Sequence, residues 1–137
     1  MSETKLEFYP FHPSDEKTHR IETTKMPLLT QTAPFEVKPL LEEFKSDLTH
    51  CLNQYEEKRF KVEGIVLYVG PDVHHKPSLQ LSNDINGECC ALTIFPNQDF
   101  YKEVAVGDHV IVEANYLVLS NLFGVVMKNS ELVQVLK

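Results

Sequence analysis

The sequence predicts a mainly β fold, a five-stranded Greek-key barrel with an amphipathic α-helix and an N-terminal arm ahead of it. Three observations carry this reading. From residue 58 onward Val, Ile and Leu come in five short runs separated by turn residues, the spacing of a small all-β barrel. Just before them, Val37, Leu40, Leu41, Phe44, Leu48, Leu52 and Tyr55 recur at three- and four-residue spacing, one apolar stripe at helical period. The first 33 residues hold Pro10, Pro13 and Pro27 and keep neither period for long.

The arm is expected to span residues 1–33 and the folded domain residues 34–137. The arm is not merely polar, because Leu6, Phe8, Tyr9, Phe11, Leu28 and Leu29 are apolar. A solvated tail rarely keeps so many such groups, so the arm is expected to lie on the domain or on a partner subunit; a mobile terminus is the alternative. The helix is expected over about residues 37–57, with Pro34 and Pro39 near its first turn, where no amide donor is needed. Glu42, Glu43, Lys45, Asp47 and Glu56 mark its solvent face.

The barrel is expected over about residues 58–135. Its first run, Phe60 to Val69, ends at Gly70-Pro71-Asp72, and Gly64 within it predicts a bulge or coil that lets one long strand serve both halves of the barrel. Leu79 to Ser82 alternates and is followed by Asn83-Asp84-Ile85-Asn86-Gly87. Cys89 to Phe95 closes at Pro96-Asn97, and a short helical turn fits Asp99 to Val104. Gly107-Asp108 turns the chain into His109 to Leu119, which puts Val110, Val112, Ala114, Tyr116 and Val118 on one face. The last run, Gly124 to about Val135, is expected to bend near Asn129-Ser130.

Five strands with a helical turn between the third and fourth are the pattern of an OB-fold. A closer likeness follows from Tyr55, Lys58 and the Val62-x-Gly64-x-Val66 strand, then the Cys89 to Phe95 strand, then Gly107-Asp108-His109-Val110-Ile111-Val112. Together these resemble the bacterial OB-fold domains of the "anticodon-binding-like" family, over roughly residues 37–135. The resemblance implies a non-enzymatic nucleic-acid-binding role and leaves the arm unexplained.

Charge weighs against part of that implication. The chain of 137 residues carries 13 basic and 20 acidic side chains, a net charge of −7. Five basic and nine acidic residues fall on residues 60–137, so the barrel itself is at −4. This excludes a protein that coats duplex DNA by charge alone and a polybasic membrane-surface helix. No run of about 18 apolar residues offers a membrane span, and the N-terminus lacks a signal peptide's pattern, so a cytoplasmic address is the default. Three cysteines, Cys51, Cys89 and Cys90, suit neither a disulfide framework nor a zinc site.

No hydrolase elbow, Walker loop or His-Glu-x-x-His pattern is present, so an enzyme is not expected, nor a cofactor. Asp72, His74 and His75 share a loop without a specified third ligand, and a solvated loop is preferred to a metal site. For single-stranded nucleic acid, the candidate cations are Lys58, Arg59, Lys61 and Lys76, and the candidate stacking platforms are Tyr68, Phe95 and Tyr116. The second strand offers Gln80 and Ser82 to the binding face, and the third Thr93 and Phe95. For a protein partner or a second copy of the chain, the candidates are Phe8, Tyr9 and Phe11 of the arm and the Leu122-Phe123 hairpin tip. A basic groove with exposed aromatics would favour nucleic acid; an aliphatic one would favour a protein partner or the arm.

Overall fold

One long strand organises the barrel. In the computed structural model, which describes residues 26–136, strand β2 (Arg59–Pro71) pairs antiparallel over Arg59–Ile65 with β5 (His109–Ser120). Over Ile65–Pro71 it pairs antiparallel with β3 (Pro77–Ser82). From β3 the sheet runs through β4 (Ala91–Ile94) to β6 (Gly124–Leu136) and back to β5. The order β2-β3-β4-β6-β5-β2 closes a five-stranded, OB-like barrel in which only β4 and β6 run parallel. A 3-10 turn at Asp99–Lys102 links β4 to β5, as the sequence predicts.

Gly64 sits where β2 changes neighbour, but it is not a bulge. Its register with β5 is continuous, and the irregularity falls between Val66 and Tyr68. What Gly64 supplies is space: a Cβ there would meet the Ser82 carbonyl oxygen at 2.8 Å and Val37 Cγ2 at 2.9 Å. The missing side chain lets the helical segment sit directly on the barrel.

That segment is two helices, α1 (Val37–Ser46) and α2 (Leu48–Tyr55), not the single helix expected over 37–57. The break is Asp47, at φ −152° and ψ 78°, whose carboxylate accepts the His50 N–H at 3.2 Å and caps α2. The apolar stripe survives the break. Val37, Leu40, Leu41, Phe44, Cys51 and Tyr55 are buried, while Leu48 is left exposed. Phe44 stacks on Tyr55 at 5.5 Å and on Tyr116 of β5 at 5.2 Å, tying both helices to the barrel.

The chain before α1 seals an edge. Strand β1 (Phe35–Glu36) runs parallel to β2 at Val62 and Glu63, and Leu28 bridges Arg59. Arg59 N–H donates to Pro27 O at 2.8 Å, and Leu29 N–H donates to Arg59 O at 2.7 Å. Between these contacts the chain bulges away, and the Gln31 side chain takes the missing place. Its Oε1 accepts the Lys61 N–H at 2.8 Å and its Nε2 donates to Lys61 O at 3.0 Å. A side-chain amide stands in for a peptide unit and leaves no gap in the ladder. The last part of the expected arm therefore lies on the domain.

Side-chain parity differs from the sequence reading on two strands. Val110, Val112, Ala114 and Tyr116 face the core, but the irregularity between Tyr116 and Val118 turns Val118 to the outside, where it packs with Leu117. Leu119 turns inward instead. On β4, Ala91 faces inward, as do Thr93, bonded to Leu79 O, and the following Phe95; Leu92 and Ile94 are the outward pair. Both shifts follow from the period of two, in which one residue of slip exchanges the faces.

Two measurements test this packing. Gly124, at φ +83°, would bring a Cβ to 2.1 Å from the Cys90 carbonyl oxygen, so Gly124→Ala is expected to cost more than about 2 kcal/mol in urea unfolding. Burial pushes the Tyr55 hydroxyl up to about 12, with Glu43 and Cys51 adding to it, from an ordinary 10.0. The native state therefore protects the neutral phenol. Its contribution to stability is complete below pH 10 and is lost as the pH rises toward 12; Tyr55→Phe is expected to shrink that loss in unfolding midpoints taken across the range.

Candidate binding face

Strand register lines up one row of residues across the outside of the barrel. Tyr68 pairs with Gln80, Gln80 with Leu92, Leu92 with Val126, and Val126 with Val118. Leu92, Ile94 and Val126 form an apolar cluster separate from the core, and Leu117, Val118 and Phe123 pack against it. This is the β3–β4 side of the barrel, flanked by the β2–β3 and β5–β6 connections, where OB-folds present their ligand surface.

Both flanking connections are held by local bonds. In the β2–β3 connection the Asp72 carboxylate accepts the backbone N–H groups of His74 and Lys76, each at 2.8 Å, and Tyr68 Oη donates to Pro71 O at 2.8 Å. In the β5–β6 connection Ser120 Oγ accepts the N–H groups of Leu122 and Phe123 at 3.0 and 3.1 Å. This turn presents Leu122 to solvent at 73% exposure and folds Phe123 back on the cluster. Between the two connections lies a cleft of about 220 Å³ lined by Tyr68, Pro71, Asp72, Val73, Gln80, Leu92 and Phe123. Among the described residues its one charged lining residue is an aspartate, with no lysine or arginine.

The sequence candidates separate into four groups, the last of them Lys58, Arg59 and Lys61. Tyr68, Leu122 and Phe123 come together at this face, and exposed Lys76 sits in the loop beside it. Phe95 and Tyr116 are buried and cannot stack on a base: Phe95 lies 3.9 Å from the Phe100 ring, and Tyr116 lies under Phe44. Burial raises the Tyr116 hydroxyl, with Glu56 and Cys51 adding to it. Phe8, Tyr9 and Phe11 fall outside the described residues.

Arg59 is withdrawn from any nucleic-acid role. It is 2% exposed, and all five of its N–H donors have partners inside the protein. Nε donates to Glu113; Nη1 donates to Asn115 Oδ1 and Asn129 O; Nη2 donates to Glu113 O and Glu131. Asn129 adopts φ +52°, which bends β6 where the sequence predicts a bend and faces its carbonyl to the guanidinium. Lys58, just before β2, and Lys61, in the same half of the strand as Arg59, are half-buried. Lys61 lies seven residues from Tyr68, about 23 Å along the strand, and instead lines a second groove of about 490 Å³ with Gln31, Ile111 and Val133.

Sequence reasoning missed Leu92, Ile94 and Val126. All three occur in apolar runs that read as core from either face; only the pairing register assigns them outward.

Cys51 and Cys90 are buried and Cys89 is half-buried. Burial pushes the Cys89 thiol up to about 12 and raises Cys51, and no disulfide joins any of them. Among the described residues no group of three or more His, Cys, Asp and Glu is gathered as for a metal ion, and no helix is long and apolar enough to cross a membrane. No protein-family model matches the chain, and no curated protein is similar to it.

The Arg59 network makes a sharp prediction. Arg59→Ala strands Glu113 at low exposure and is expected to cost about 3–5 kcal/mol in chemical unfolding. Glu131→Ala removes a partner that is 54% exposed and is expected to cost less than about 1 kcal/mol.

Proposed function

We propose that this chain is a non-enzymatic binding module that takes an extended protein segment, anchored by an apolar or aromatic side chain, across the outer face of β3 and β4. The observation that carries this reading is the composition of the cleft: among the described residues, mainly aromatic and aliphatic walls with Gln80, one carboxylate and no cation. Tyr68, Val73 and Leu122 remain exposed around it, an apolar rim with a polar surround, as protein-binding patches have. Three unpaired cysteines fit a reducing compartment such as the cytoplasm.

A second reading is weak binding of single-stranded nucleic acid, in keeping with the resemblance to bacterial anticodon-binding-like domains. It is favoured by Tyr68, an exposed ring next to the loop that carries Lys76. It has lost Arg59, Phe95 and Tyr116 to the interior, and the net charge of −7 leaves a small counterion-release term.

Panning a displayed library of random peptides against the full chain tests the first reading. Retained peptides are expected to share an aromatic or leucine anchor and to lose about tenfold or more in affinity to a Tyr68→Ser, Leu122→Ser double variant. Their affinity is expected to be nearly the same at about 50 and 200 mM salt. Failure to retain any peptide overturns this reading. Binding of an oligo(dT) strand that weakens with salt and is lost in Lys76→Ala replaces it with the second.

A further inference from the structure

We propose that the apolar face has an occupant of its own: the N-terminal segment of the same chain, carrying Leu6, Phe8, Tyr9 and Phe11, docks there in cis and competes with outside segments. The proposal rests on the apolar reading of the face and adds a built-in regulator to it.

The described chain begins beside the face. Met26 N–H donates to Asn115 Oδ1 at 3.4 Å. Asn115 precedes the core-facing Tyr116 and shares the outer side of β5 with the Arg59 guanidinium, to which it is bonded. Leu117 and Val118 follow, and both pack on the outer apolar cluster. The chain upstream of Met26 thus starts on the same side of the barrel as the face, close to one end of it.

The upstream segment is long enough to cross the face. From Asn115 to the end of β5 at Ser120 is five residues, about 17 Å, and crossing from β5 to β4 adds two strand spacings, about 10 Å. Fourteen residues lie between Phe11 and Met26 and can span up to about 50 Å when extended. The segment reaches the cleft with slack, so no second chain is needed to supply it.

The cleft and the segment also match in chemistry. A cleft of about 220 Å³ between Tyr68 and Phe123 suits one aromatic side chain, and Phe8-Tyr9-Pro10-Phe11 offers three within four residues. Pro10 biases Tyr9 toward extended backbone and removes an N–H. The segment is thereby pre-set to dock by its side chains rather than as a full strand partner. Docking would also cover Leu122 and Val73, which are 73% and 57% exposed.

The chain contains no tryptophan, so Phe8→Trp and Phe11→Trp each give a sole reporter in the full-length protein. At least one is expected to emit to the blue of free indole and to resist acrylamide quenching several-fold. Adding Tyr68→Asp and Leu122→Asp, both at exposed positions, is expected to return it to solvent-like emission while circular dichroism stays native. Light scattering is expected to report a monomer. Solvent-like emission from both reporters overturns the proposal, as does blue emission indifferent to the face variants or dependent on a dimer. In an independent readout, replacing Phe8, Tyr9 and Phe11 by Ala is expected to strengthen binding of the panned peptides several-fold; unchanged affinity counts against competition. Because the tryptophan experiment uses no outside peptide, docking can fail while peptide binding stands, and the reverse.

Discussion

The buried guanidinium of Arg59 is the constraint on which the arrangement of the chain around it depends. Burying a charge costs several kcal/mol even after relaxation, and the cost is offset only when geometry and hydrogen bonding are complete. Here five donors meet acceptors on β5 and β6, and the same residue's backbone holds Pro27 and Leu29 through reciprocal bonds. One residue thus fixes the start of β2, the bend of β6 at Asn129, and the path by which the N-terminal chain reaches the barrel. An aliphatic residue of similar volume could fill the space, but it would not orient Asn115, which also accepts the Met26 N–H.

The way this OB-like barrel closes also explains the apolar cluster on its outer β3–β4 side. Irregularities are needed wherever β5 and β6 bend to close on the short β4, and register shifts occur after Ile111, Glu113 and Tyr116. The last of these turns Val118 out beside Leu117, opposite Val126. Together with Leu92 and Ile94 they form a small outer core on the side where nucleic-acid binders carry aromatics and cations. Phe123, folded back by Ser120, completes it and makes one wall of the cleft. Barrel closure and the character of the face have a common cause.

Much of the fold was legible because it is written in periods and punctuation. The five runs, their turns, the 3-10 segment and the helical stripe are local signals, and the structure contains each of them. The break at Asp47 was hidden because both helices keep one stripe in phase, so the apolar pattern passes through the cap unchanged. The candidate site was less legible. Lys58, Arg59 and Lys61 read as a basic patch, yet Arg59 is removed by Glu113 and Glu131, residues more than 50 positions away. Phe95 and Tyr116 read as platforms, but Tyr116 shares the alternation of Val110, Val112 and Ala114, which fill the core. For Phe95, just past the short β4, only the pairing of that strand gives the side.

Edge protection completes the argument about where recognition can occur. An exposed half of β2 would invite strand addition, a mode in which backbone carries the affinity and side chains matter little. Residues 27–36 close that route, with the Gln31 amide bonding both the N–H and the C=O of Lys61 where the chain bulges away. On the proposed reading, recognition then falls to side chains on a pre-formed surface rather than to strand addition at this half of β2. On the proposed reading the acidic body would act as a filter. A net charge of −7 disfavours polyanions at long range, while the cleft between Tyr68 and Phe123 offers apolar groups a contact surface. On that reading selectivity would need no strong cation, only an apolar site whose competitors are kept away by charge.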